Sequence, residues 1–126
     1  MAKTDRPAGG LVWWLRWAGR ILGTCSGAFW LFMGIVSTVA GQDPWTGEST
    51  MLAILIAAAA AGAGIAWWRE DIGGIVLLAS GIGHGIFGYL AAGHRRYVPV
   101  LIAGLPFSLA GLLTIAAWRL REAASD

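Results

Sequence analysis

The chain has 126 residues, of which 57% are hydrophobic and 13% charged, with 19 Gly, 8 Trp, one Cys and a net charge of +2. Soluble domains carry about a quarter charged residues, so this composition lacks the polar surface to cover a water-exposed globule and leaves no room for a soluble catalytic domain. The lone Cys25 excludes an intrachain disulfide and a thiolate metal cage, and the absence of a clustered basic stripe argues against nucleic acid as a partner.

A helix crosses a hydrocarbon layer of roughly 30 Å with about 20 residues, and four uncharged runs approach that length. The first covers about 11–40. Its apolar part is Ile21 to Ala40, and a preceding stretch interleaves Trp13, Trp14 and Trp17 with Arg16 and Arg20, one turn apart on one face. A secretory signal is not expected, because 20 apolar residues exceed the roughly 7–15 of a signal core.

The second span covers about 51–68. Its run Ala57 to Ala61 followed by Gly62, Ala63 and Gly64 reads as the least oily of the four, a span that needs neighbours to stay inserted. The third, about 72–93, is interrupted only by His84. The fourth, about 98–118, contains Pro106, which a membrane bundle tolerates when adjacent groups satisfy the freed carbonyl; Pro99 falls in its first turn, where a missing N–H costs nothing. The connections are short: Gly41-Gln42-Asp43-Pro44 has turn composition, and Arg69-Glu70-Asp71 and His94-Arg95-Arg96 are charged breaks. The tail after Trp118 is expected to fray. No linker divides the chain, so residues 1–126 read as one all-α, four-helix integral membrane domain.

Positively charged loops are retained on the cytoplasmic side. With four spans both termini share a side, and that side collects Lys3, Arg6, Arg16, Arg20, Arg69, Arg119 and Arg121, against Arg95 and Arg96 opposite. The termini are therefore expected to be cytoplasmic. The first loop carries Asp43 and Glu48 without Lys or Arg. Trp13, Trp14, Trp17, Trp67, Trp68 and Trp118 then form an aromatic belt at the cytoplasmic interface, with Trp45 at the other.

Stepping about 100° per residue from His84 puts Gly73, Leu77, Ser80, Gly81, Gly88 and Ala91 on its side of the third helix. Ile75, Ile82, Ile86 and Tyr89 fall opposite. Small residues at fourfold spacing, including Gly81 and Gly85, let membrane helices approach closely, so His84 is expected in a helix interface near mid-membrane. A neutral imidazole there can simply hydrogen-bond to Ser80 or a backbone carbonyl. The sharper reading makes His84 an axial ligand, with Ser80, Gly81 and Gly88 lining a flat space for a tetrapyrrole. The Ser80-x-x-x-His84-x-x-x-Gly88 spacing resembles that of bacterial antenna polypeptides, which implies bacteriochlorophyll as the ligand. His94 lies ten residues on, about 15 Å along the helix, so one chain cannot supply both ligands of a bis-His haem, although two copies of His84 in a homodimer can.

The fourth span repeats the small face with Gly104, Ser108 and Gly111. Thr24, Cys25, Ser26, Ser37 and Thr38 in the first read as packing or hydrogen-bonding positions. The expected helix-packing set is thus Gly73, Gly81, Gly85, Gly88, Gly104, Ser108 and Gly111. No catalytic triad, paired carboxylates or metal cluster lies within the spans, and no gating-charge series or carbonyl filter marks a channel. The first span lacks the carboxylate on which small proton-coupled multidrug exporters depend, and the third lacks the Phe-Ser-Thr-Phe signature of small fluoride channels. The expected metal ligands and catalytic residues are none.

At Trp67-Trp68-Arg69-Glu70-Asp71-Ile72-Gly73-Gly74 the chain resembles a family of small bacterial four-helix membrane proteins, in which Trp is followed by Glu three residues on and then by Gly-Gly. Leu15 to Gly23, Phe29-Trp30-Leu31-Phe32 and Leu105-Pro106 extend the resemblance, which implies a fold and no activity; His84 is not part of that pattern. Physically, Trp67 and Trp68 anchor at headgroups, Arg69 faces anionic lipid, and Glu70 and Asp71 favour the positive end of the following helix. A functional reading makes Glu70 a binding group for a cation or partner.

The reading that follows is a multi-pass protein of the bacterial inner membrane, a scaffold or accessory subunit without catalysis of its own, with lipid and other membrane subunits or itself as partners. The alternatives are a pigment- or haem-binding subunit through His84 and an oligomeric small transporter or channel.

Overall fold

The computed structural model describes residues 7–41 and 44–126. Lys3, Asp5, Arg6, Gln42 and Asp43, which entered the charge and turn arguments, lie outside them. Four helices are long and apolar enough to cross a membrane: α1 (Pro7–Ala40), α2 (Gly47–Ile65), α3 (Glu70–Ala91) and α4 (Tyr97–Ser125). The architecture is all-α, and its composition is that of a membrane protein.

Sequence boundaries failed where polar residues carry the helix beyond its oily run. α2 begins at Gly47, four residues before the expected start, because Thr46 and Ser49 cap it reciprocally. The Ser49 backbone N–H donates to Thr46 Oγ1, and the Thr46 N–H donates to Ser49 Oγ, each at 3.3 Å. These two bonds satisfy donors that a bare helix start leaves orphaned. The helix ends at Ile65 instead of running to Trp68; Ala66–Trp68 form a turn that lays Ala66 against Gly73, where there is no room for a Cβ. Nor is α2 the least oily: its apolar stretch exceeds those of α1 and α3 in hydropathy, because a charge-free alanine run outweighs its two glycines.

The α3–α4 connection turns on Gly93, the single described residue with positive φ, at 60°. Glycine takes that conformation without a Cβ clash, and a short 3-10 turn (Gly93–Arg95) follows. In α4, Pro106 follows a local departure from regular helix. Residues Val100–Gly104 form a wider π turn, in which the Leu105 N–H reaches back five residues to the Val100 carbonyl. The end of α4 also differs from expectation: it does not fray after Trp118 but continues through Ser125, since Leu120, Arg121, Glu122 and two alanines all favour helix.

α3 is central, packed against both α2 and α4, while α1 lies on α4 and α2. The buried centre consists of Ala59, Ala63, Ala66, Leu77, Phe107 and Ala110, with Leu22 and Trp30 against it. With so few large side chains, close backbone approach does most of the packing. A Cβ on Gly81 would collide with Ser108, one on Gly111 with the Leu78 backbone, one on Gly88 with Pro99 at 2.5 Å, and one on Gly104 would come within 3.0 Å of Gly85 Cα. α1 joins through Gly19 against Thr114 and Gly23 against Leu77. Dispersion over such contacts, rather than a hydrophobic driving force, holds helices together in lipid.

Candidate functional sites

The small face expected on α3 is the buried one. Gly73, Leu77, Ser80, Gly81, His84 and Gly88 are buried, Ala91 at its end is exposed, and Ile75, Ile82, Ile86 and Tyr89 all point outward. His84 is 2% exposed, with Nδ1 2.8 Å from the Ser80 carbonyl. A carbonyl only accepts, so Nδ1 carries the proton and the lone pair resides on Nε2. That nitrogen is sealed from the surface and has no hydrogen-bond partner among the described residues.

The flat space expected beside the imidazole is occupied by the protein. The Phe107 ring lies 5.1 Å away at 37°, and Ser108 and Pro99 fill the hollows left by Gly81 and Gly88. What remains nearby is an apolar slot of about 230 Å³ between Trp30, Leu52, Phe87 and Ala103, with His84 on its wall. A tetrapyrrole does not fit here without parting α3 from α4, and its metal would find Nε2 covered. Among the described residues no group of three or more His, Cys, Asp or Glu is placed to hold a metal ion.

The most unusual chemistry lies at the tryptophan-rich end. Glu70, in the first turn of α3, is 4% exposed, and arginines from two other helices converge on it. Oε1 lies 2.5 Å from Arg16 Nε and 3.4 Å from Arg20 Nη2, both on α1; Oε2 lies 3.3 Å from Arg121 Nη1 on α4. Arg20 Nη2 also donates to the Trp67 carbonyl at 3.2 Å. Its guanidinium carbon lies 5.1 Å from the Trp67 ring centroid and 5.8 Å from that of Trp17. The two indoles meet edge to face at 5.7 Å, and Trp67 Nε1 donates to Thr24 Oγ1 on α1. One carboxylate therefore fastens α3 to α1 and α4, and the α2–α3 turn is fastened to α1 by the same side chains.

This arrangement changes several readings. Arg16, Arg20 and Arg121 are not simple membrane-face anchors, and Trp17 and Trp67 are walls of a polar cluster as well as members of the belt. Trp13, Trp14 and Trp68 are exposed as anchors should be, and Trp118 is half-buried with Arg119 over its ring. The cations bound by Glu70 come from its own chain. Arg69 is bound to Asp71 at 3.1 Å; that hydrogen bond and the carboxylate charge raise its affinity for its proton. The sequence signals were present separately, as Arg16 and Arg20 on one face and the acids Glu70 and Asp71 opening α3. Arg121 was missed because its helical turn was read as frayed.

At the opposite end α1 and α2 diverge. A trough of about 300 Å³ runs between Leu31, Gly34, Thr38 and Val39 of α1 and Ala53, Ile56 and Ala57 of α2. It continues toward Trp45, which donates from Nε1 to Thr50 Oγ1 at 2.7 Å.

The DUF7670 family, described as a domain of unknown function, matches residues 9–125. No curated protein and no solved structure matches the chain.

Proposed function

The chain belongs to the DUF7670 family, and from that premise we propose that it is a non-catalytic scaffold or accessory subunit of a complex in the bacterial inner membrane. Both termini are cytoplasmic in this reading, and the partner is a transmembrane helix of another subunit. The observation that carries it is the α1–α2 trough. Toward the C-terminal end of α1, Phe29, Phe32, Ile35 and Val39 are exposed. The trough floor offers Gly34 and Thr38 on one helix and Ala53 and Ala57 on the other. Small residues four apart favour a close-packed helix over a disordered acyl chain. The internal polar groups support the same reading, since they serve the bundle: Thr114 donates to the Ala110 carbonyl, and His84 donates to Ser80.

A photo-crosslinking residue at Ile35, in the trough, tests this against one at Ile82, which is equally exposed on the outer face of α3. In native membranes the Ile35 probe is expected to give one adduct of discrete mass and the Ile82 probe none. A second, differently tagged copy of the chain distinguishes self-association from a foreign subunit. The same diffuse labelling at both positions would remove the basis for a scaffold.

A further inference from the structure

We propose that Arg16, Arg20 and Arg121 form a binding site for a phosphate group, carried by an anionic lipid headgroup or free in solution. Three guanidiniums converge on one carboxylate, so the cluster has two positive charges more than Glu70 neutralises. The nearest acid in sequence, Asp71, is engaged by Arg69. A latch between helices needs one arginine per helix at most. Two from α1 and one from α4 at a single carboxylate give a donor surplus that no described residue satisfies.

Each guanidinium carries five N–H donors in a rigid fork. Arg16 approaches Glu70 through Nε and Arg121 through Nη1, leaving the two Nη groups of Arg16 and the Nε and Nη2 of Arg121 without a protein acceptor among the described residues. The side chains of Arg16, Arg20 and Arg121 are 27%, 16% and 52% exposed, so the surplus faces outward while the carboxylate stays covered. A phosphate presents several acceptor oxygens and up to two negative charges, matching paired forks better than a single carboxylate does. Depth agrees: Trp13, Trp14 and Trp68 flank the cluster and are exposed, and aromatic belts sit at headgroup level.

The test uses the full-length protein in uncharged detergent and in bilayer discs. Thermal unfolding is followed in inorganic phosphate and in chloride of equal ionic strength, and native mass spectrometry counts lipid retained from phosphatidylcholine discs with and without phosphatidylglycerol. Stabilisation by phosphate beyond chloride, or selective retention of phosphatidylglycerol, is the expected result. Retention without a phosphate effect assigns the site to the headgroup; a phosphate effect without retention assigns it to the free anion. Arg121→Gln, which removes the most exposed member, should weaken the response about tenfold, and Arg121→Lys should recover part of it. Arg119→Gln, on Trp118 and outside the cluster, should leave it intact. No difference between phosphate and chloride together with no preference for phosphatidylglycerol overturns the proposal, as does an equal loss in the Arg119 and Arg121 variants.

Discussion

Glu70 and Arg16 meet at 2.5 Å where α3 begins and α1 passes. This contact joins two helices that a third, α2, separates in the chain. Removing the carboxylate leaves three guanidiniums facing one another in a partly desolvated pocket. Breaking a buried pair from one side costs about 3 kcal/mol or more, whereas an exposed partner contributes about 1 kcal/mol or less. Glu70→Gln is therefore expected to lower the unfolding temperature far more than Arg121→Gln, with Arg16→Gln between them. Unfolding in mild detergent gives the order, and equal effects of the first two would show that the cluster does not hold the helices.

The glycines separate into two classes. A methyl on Gly111 would meet the Gly74 carbonyl at 2.8 Å, and one on Gly62 would meet Val76 at the same distance. Alanine at either position should cost on the order of 1–3 kcal/mol. Gly64 has open space and Gly85 only ordinary contact with Val100 at 3.9 Å; alanine there should be neutral or stabilise by about 0.5 kcal/mol. Gly85 was grouped by spacing with the packing glycines. It does belong to the interface, but through its Cα, which Gly104 approaches. Stability of the four alanine variants in one detergent measures the division.

His84 should behave as a structural residue. Loss of its hydrogen bond to Ser80 and of its contact with Phe107 in His84→Ala is expected to destabilise by about 1 kcal/mol for the bond, plus a cavity contribution of similar size. The purified protein should show no visible absorption band to lose. A coloured preparation bleached by the substitution would contradict the covered position of Nε2.

Sidedness is measurable with single cysteines. In a Cys25→Ser background, an impermeant maleimide applied to intact cells should label Glu48→Cys and should reach Ser125→Cys only after permeabilisation. The reverse pattern would invert the proposed orientation.

Much of this architecture was legible because lipid imposes length and periodicity on a chain. The four helices long and apolar enough to cross a membrane, the inward face of α3 around His84 and the small-residue seam with α4 follow from counting and from helical angle. The charged cluster did not follow, because Arg16, Glu70 and Arg121 belong to three helices whose mutual rotation no local pattern encodes. The cap at Thr46 and the persistence of helix to Ser125 were hidden for a related reason. Both are built from polar residues, which a search for apolar runs discards.

The π turn at Val100–Gly104 bears on how the family tolerates change in length. Such a turn holds one residue more than the regular helix needs, and that surplus lets Pro99 face Gly88 while Ser108 faces Gly81. Excising a single residue there, with Pro106 replaced by alanine, should anneal the segment into ordinary helix with both halves still in register. The same excision in α3 would rotate one half of its buried face toward lipid.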